Sequence, residues 1–247
     1  MIVLGLDTAT RSTAVALRRA DGSTLQARDD PAPNEHPGHA TRLLEMADEM
    51  LGRSGIGWSA IERIAVGLGP GTFTGLRVGI ATARGLAQSL GVELVGVSSL
   101  RALAEPALRA QSEGSRVLAV LDARRGEAFV AAYEVRDRGS VEELVPPRAL
   151  APEDLGSIIG QVAAQPQPRE EQVRRWLAIG DGAVRFRGQL QDAGVAIPSD
   201  SSPLHLLSAE LICELGALGE AAGTVERILP EYCRRPDAEI ALERAPS

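Results

Sequence analysis

Two aspartates close apolar runs in this 247-residue chain: Asp7 follows Ile2-Val3-Leu4-Gly5-Leu6, and Asp122 follows Leu118-Ala119-Val120-Leu121. A carboxylate that ends a strand ahead of a polar turn can face a cleft and hold a hydrated Mg²⁺. Aspartate also forms such turns by bonding its own backbone, so both readings stand. Between a strand and a helix lies Gly67-Leu68-Gly69-Pro70-Gly71. There backbone N–H groups and the helix dipole can receive a phosphate, while glycine equally serves sharp turns and close packing. Asp7, Thr8, Gly69, Gly71 and Asp122 are therefore the candidate residues of a vestigial nucleotide or phosphate site.

Other chemistry is excluded more firmly. The 26 basic residues are all arginines, which removes the lysine of a Walker A loop and every Schiff-base mechanism. His36-x-x-His39 has neither the i,i+4 spacing of a helical metal pair nor a His-Glu-x-x-His pattern, and no metal site is expected there. His205 stands alone, and Ser98-Ser99 and Ser201-Ser202 lack a triad or a Gly-x-Ser-x-Gly elbow. No catalytic residue is assigned. Cys213 and Cys233 form no Cys-x-x-Cys and read as reduced thiols. Arg234-Arg235 reads as a solvated pair, though arginine also suits a phosphate or a partner's carboxylate.

These residues need elements to position them. Residues 2–6 and 13–18 read as strands around the turn Asp7–Ser12, and Asp21-Gly22 is a hairpin pair. A Pro-rich loop, 30–37, leads to a helix whose apolar face carries Ala40, Leu43, Leu44, Ala47, Met50 and Leu51, with Gly52 as its stop. A strand at 61–68, a helix at 72–90 and a strand at 93–97 form a βαβ unit with parallel strands. After a helix at 99–110, residues 118–124 and 127–133 repeat the opening pattern of strand, aspartate, turn and strand. Further strands are expected near 143–145 and at 176–179, and helices at 152–162 and 204–222, with a loop at 165–168 and the turn Gly180-Asp181-Gly182. The expectation is an α/β protein of two lobes: 1–105, then 106–225, then a tail at 226–247. The last long helix is free to pack back on the first lobe.

The helix at 72–90 has apolar side chains on nearly every side, from Phe73 and Leu76 through Val78, Ile80, Leu86 and Leu90. Such a helix must be covered twice. Gly75, Gly79 and Ala83 form a line of small residues that lets another helix approach, and each helical glycine costs about 0.5 to 1 kcal/mol against alanine. A helix–helix interface made of Leu43, Leu44, Ala47, Met50, Leu51, Gly75, Leu76, Gly79, Ile80 and Ala83 is the favoured reading, with intrachain packing as the alternative.

Whole stretches resemble one family. Leu4-Gly5-Leu6-Asp7-Thr8-Ala9-Thr10, the helix at 39–51, the run Gly67-Leu68-Gly69-Pro70-Gly71-Thr72-Phe73-Thr74-Gly75-Leu76-Arg77-Val78-Gly79 and Leu121-Asp122-Ala123-Arg124-Arg125-Gly126-Glu127 resemble the TsaB family, also called YeaZ. Pro230-Glu231-Tyr232-Cys233-Arg234 is similar to its tail motif Pro-x-Tyr-Leu-Arg, with Cys233 the departure; residues 165–222 match loosely. The family belongs to the actin-like ATPase (ASKHA) superfamily and is related to the transferase TsaD. Where TsaD carries two metal-binding histidines four apart, this chain has Ser99 and Leu103, and a leucine ligates nothing.

The resemblance implies a two-lobed actin-like fold, each lobe a mixed sheet with flanking helices. It implies a non-catalytic subunit for threonylcarbamoylation of the adenosine beside the tRNA anticodon. TsaD would be its partner through the first-lobe helices, the ATPase TsaE would join the assembly, and the same face would form a homodimer without TsaD. No cofactor is expected on this chain, ATP and Mg²⁺ being used by the assembled complex. The net charge of -7 works against direct phosphate-backbone binding, so tRNA contact would be indirect. With no apolar run long enough for a membrane and no signal region, a cytoplasmic protein is expected. An actin-fold ATPase or phosphotransferase with its own nucleotide site is the alternative.

Overall fold

The computed structural model describes residues 1–32, 34–163 and 175–234. The expected loop at 165–168, Arg235 and the tail beyond it lie outside the described residues.

Apolar runs with β-branched residues form β1 (Val3–Asp7) and β2 (Thr13–Arg18), an antiparallel pair in which Asp7 lies opposite Ala14. The hairpin at Asp21-Gly22 adds β3 (Thr24–Asp29), an edge strand that alternates between half-buried and exposed positions. On the other side β4 (Arg63–Gly69) and β5 (Glu93–Ser98) run parallel to β1, giving the order β3-β2-β1-β4-β5. The second sheet repeats the plan. In it β6 (Arg116–Arg124), β7 (Glu127–Val135) and β8 (Val141–Leu150) form an antiparallel meander, and β9 (Trp176–Ile179) pairs parallel to β6. Its order, β8-β7-β6-β9, reproduces the first four places of the other sheet. Asp7 and Asp122 thus occupy matching ends of the two central strands.

Helices cover the sheets. The helix α1 (His39–Ser54) buries Leu43, Met46, Ala47, Met50 and Leu51, and it continues through Gly52. Gly55 ends it instead, with φ of 67°, a left-handed C-cap that glycine adopts without Cβ strain. The helix α2 (Phe73–Leu90) starts after Thr72 and connects the parallel strands β4 and β5 as the expected βαβ unit. The helix α3 (Ser99–Ala110) follows directly on β5. In the second lobe stand α4 (Ser157–Ala163), α5 (Asp181–Arg185) and α6 (Arg187–Asp192), so Gly180-Asp181-Gly182 starts a helix rather than making a turn. The single helix expected at 204–222 is shorter: α7 (Ala209–Leu218) is capped by the Ser208 hydroxyl, which accepts from the Glu210 N–H.

Three apolar clusters result among the described residues. One fills the space between the first sheet and α1 and α2, and one lies within the second lobe. The third joins the lobes: Ala16 and Ala65 of the first sheet, Leu100 and Leu103 of α3, Ile212 and Cys213 of α7, and Leu121 and Phe129 of the second sheet. The helix α7 packs on β1, β2 and β4, so a helix late in the chain sits on the first lobe.

Candidate functional site

The β1–β2 turn packs so tightly that its carboxylate is enclosed. Asp7 is 1% exposed. Its Oδ1 accepts from the Ala9 N–H at 2.8 Å and its Oδ2 from the Ser99 hydroxyl at 2.8 Å. The Ser99 oxygen in turn accepts from the Gly69 N–H at 3.2 Å. Burial pushes the Asp7 carboxyl up to about 6, against the lowering effect of the Ala9 and Ser99 donors.

Glycines make that enclosure sterically feasible. A Cβ on Gly67 would lie 1.8 Å from Asp7 Oδ2, and one on Gly71 would lie 2.2 Å from the Ala9 carbonyl oxygen. The loop approaches the first turn as closely as backbones allow. The helix continues the pattern: a Cβ on Gly75 would strike the Thr8 carbonyl oxygen at 2.1 Å, and one on Gly79 would strike Thr8 Oγ1 at 2.3 Å. The Thr8 hydroxyl donates to the Gly75 carbonyl at 2.7 Å. The line of small residues therefore seats α2 on the β1–β2 turn of its own chain.

This corrects the expected interface. Leu43, Ala47, Met50, Leu51, Leu76, Ile80 and Ala83 are buried in the core of this lobe, and Gly75 and Gly79 face Thr8. Of the ten residues only Leu44 is exposed, at 46%. Nine of them are occupied by intrachain packing, because helical small residues admit a strand turn as readily as a second helix.

Asp122 is held by different means. Its Oδ1 accepts from the Arg124 N–H at 2.8 Å, while Oδ2 meets the guanidinium of Arg124 at 3.1 Å and that of Arg185 at 2.7 Å. Its own N–H donates to Asp181 Oδ1 at 2.9 Å. Burial raises the Asp181 carboxyl above its ordinary value. The turn that follows, Arg124-Arg125-Gly126, runs through positive φ at 62°, 55° and 82°. Between the lobes remains a cleft of about 200 Å³, lined by Thr10, Arg11, Thr72 and Phe73 on one wall and by Asp122, Arg124, Asp181 and Arg234 on the other. Thr8 and Gly69 stay behind this surface, whereas Gly71 and Asp122 reach it.

The remaining sequence candidates have structural partners. His39 is buried, with Nδ1 2.9 Å from Thr13 Oγ1. His205 sets its ring nitrogens against the backbone of Gly180 and Ser199. Ser202 caps a helical turn at Leu204, and Leu103 lies in the interlobe core. The Cys213 thiol donates to the Val3 and Ala16 carbonyls, and burial pushes it up to about 12. Sequence reasoning missed the groups that engage the two carboxylates, namely Ser99 for Asp7 and Arg185 with Asp181 for Asp122. It also missed Glu127, whose carboxylate pairs with Arg234 at 2.8 Å.

Known proteins agree with this architecture. Residues 35–242 match the family model described as TsaD, tRNA N6-adenosine threonylcarbamoyltransferase. The chain is 32% identical to the tRNA threonylcarbamoyladenosine biosynthesis protein TsaB of Escherichia coli over 100% of its own length and 99% of that protein's. The solved structure of YeaZ from Pseudomonas aeruginosa superposes with a TM-score of 0.70 at 30% identity, covering 94% of this chain and 99% of that one. A ROK hexokinase from Thermus thermophilus, 16% identical, shares the fold at a TM-score of 0.50 over 88% of this chain and 99% of that one. The two repeated sheets joined by α3 and α7 form the actin-like ATPase fold, and with full-length similarity to its curated members the chain belongs to the TsaB (YeaZ) family of tRNA threonylcarbamoyladenosine biosynthesis proteins.

Proposed function

We propose that this chain serves the threonylcarbamoylation of the adenosine beside the tRNA anticodon as a non-catalytic subunit that binds the transferase TsaD. The observation that carries the reading is the engagement of both strand-end carboxylates. Asp7 is enclosed by Ser99, Ala9 and Gly67, and Asp122 is neutralised by two arginines. A hydrated Mg²⁺ needs carboxylate oxygens that reach solvent. Neither aspartate offers one without rearrangement of its partners. ATP and Mg²⁺ are then the business of the assembled complex, with TsaE as the ATPase. The setting is the cytoplasm; among the described residues no helix is long and apolar enough to cross a membrane.

The docking face lies one helical stripe away from the one expected. Thr74, Ala81 and Gly85 are exposed on α2 and Val78 is half-buried between them, at the i, i+4, i+7, i+11 spacing of one face. An added Cβ on Gly85 would touch nothing. The exposed Leu44 stands on the neighbouring α1. Small and apolar residues on two adjacent helices suit close packing against helices of TsaD, and of a second copy when TsaD is absent. With a net charge of -7, contact with tRNA comes through the partner.

The test is reconstitution of the tRNA modification from purified components. Omitting this chain is expected to abolish product, and the chain alone with ATP and Mg²⁺ is expected to release no phosphate. Ala81→Arg and Gly85→Arg should leave the fold intact and stop co-purification with TsaD. Retained binding by both variants would place the contact elsewhere. Phosphate release that disappears in Asp7→Ala would replace the subunit reading with an ATPase. Substitution at Gly79 reports on folding instead, since any side chain there meets Thr8.

A further inference from the structure

Leaving α7, the chain returns along the first lobe and ends its described course on the second. Ile228 is buried among the side chains under α1 and α2, and Arg84 of α2 donates to its carbonyl and to that of Glu226. The Glu231 N–H donates to the Leu68 carbonyl of β4 at 2.8 Å, and the Glu231 carboxylate accepts from the Ser98 hydroxyl at 3.2 Å. Tyr232 stacks on Phe73 at 5.4 Å between ring centroids, and its hydroxyl accepts from Arg77 Nε at 3.0 Å. Arg77 also lies over the Phe73 ring at 3.6 Å. Each of these contacts belongs to the first lobe. Two residues on, Arg234 donates to the Ala123 carbonyl at 3.2 Å and to Glu127 at 2.8 Å, on the β6–β7 turn of the second lobe.

We propose that residues 228–234 form an interlobe strap, moored along the first lobe and latched to the second through Arg234, and that the latch limits how far the cleft opens. The floor of the molecule is the apolar core shared by α3 and α7, about which the lobes can rock. Arg234 itself lines the cleft above that floor. Because Tyr232 is fixed on the first turn of α2, the two residues that follow reach at most about 7 Å of backbone, so the β6–β7 turn is held near α2 while the latch is closed. The Arg234–Glu127 pair is partly exposed, at 26% and 39% of the side chains. A pair in contact with water opens reversibly and weakens with salt, as a latch requires and a core contact does not.

The experiment uses the full chain and its variants Glu127→Ala, Arg234→Ala and the charge-exchanged double Glu127→Arg with Arg234→Glu. Hydrogen exchange is followed at the Glu231 amide, which bonds the first lobe, with the Val15 amide of β2 as a control for global opening. Glu127 lies in the other lobe and does not touch Glu231's partners. Glu127→Ala is nevertheless expected to speed exchange at Glu231 about fivefold at an unchanged rate for Val15, and the double variant is expected to return it toward the parent rate. Small-angle scattering should show a larger radius of gyration for Glu127→Ala and Arg234→Ala and the parent value for the double. An unchanged Glu231 rate in Glu127→Ala would overturn the strap, as would a double variant no slower than the single ones. Faster exchange at an unchanged radius of gyration would also overturn it, by reducing the segment to a local mooring.

Discussion

The two lobes begin with the same device and engage it differently. In each, a central strand carries an aspartate at or near its end, a polar turn follows and an antiparallel strand returns. In the first lobe Asp7 sits among neutral donors at 1% exposure, and the desolvation of its carboxylate pushes the acid up to about 6. In the second lobe the Asp122 side chain, 6% exposed, is matched by the cations of Arg124 and Arg185, which themselves stand in water. One carboxylate is enclosed and the other is paired. Enclosure requires close steric fit, which glycines provide; pairing requires only that long side chains reach the cleft. The first lobe should therefore respond to small changes of volume and to pH, and the second to salt.

The largest expected difference is steric. Gly67→Ala would place a Cβ within 1.8 Å of Asp7 Oδ2 and 2.9 Å of Ser99 Oγ, so the buried trio of Gly67, Asp7 and Ser99 must separate. Overpacking combined with a broken buried hydrogen bond costs about 3 to 5 kcal/mol. In the turn beside Asp122, by contrast, Gly126→Ala meets nothing within 4 Å and bears only the strain of φ at 82°, about 1 to 2 kcal/mol. Urea denaturation of both variants measures the contrast. Equal losses would mean that the first turn yields, and the contrast between an aspartate enclosed by glycine packing and one held by arginines would fail.

A second contrast is in pH. Asp7 has a folded value of about 6 against 3.8 for the free side chain, so the folded state holds a proton that the unfolded state has released. Its contribution to stability is therefore fully present below 3.8, and it is lost as the pH rises through about 6. Asp7→Asn does not ionise and escapes this loss. The stability of Asp7→Asn relative to the parent should climb between pH 4 and pH 6.5, by up to about 3 kcal/mol for a shift of two units. Urea midpoints for both proteins at half-unit steps of pH measure it. A flat difference would show that Ser99 and Ala9 compensate the desolvation in full.

Much of this is legible in the sequence, and the limits have physical causes. The bounds of α3 and β9 coincide with those read from periodicity and turn residues, since Gln111, Ser112 and Gly180 are strong punctuation. The duplication was visible in the spacing from strand to aspartate to turn. What periodicity does not encode is the occupant of a face. Gly75 and Gly79 look the same whether they admit a partner helix or Thr8 of the same chain. Gly52 and Gly55 are both able to stop α1, and only the left-handed φ at Gly55 distinguishes them. The partners of the two aspartates lie far along the chain, Ser99 by 92 residues from Asp7 and Arg185 by 63 from Asp122. The strap has no regular period from which to read it, although its tail motif marked the segment.

The smallest effect belongs to the second carboxylate. Asp122→Ala removes ion pairs to Arg124 and Arg185, whose side chains are 47% and 46% exposed against 6% for Asp122 itself. Pairs whose cations stand in water contribute up to about 1 kcal/mol, and removing the acceptor for the Arg124 N–H adds little because Arg124 is itself exposed. The loss should therefore stay near or below about 1 kcal/mol in 0.05 M salt and shrink further in 0.5 M, where the Debye length falls well below 10 Å. Thermal or urea unfolding of Asp122→Ala and the parent at the two ionic strengths decides the matter. Asp7→Asn supplies the contrast, because an enclosed carboxyl is hidden from mobile ions and its effect should not change with salt. If Asp122→Ala proves costly and insensitive to salt, burial rather than the solvated arginines governs the second aspartate as well, and the two lobes hold their carboxylates in one way rather than two.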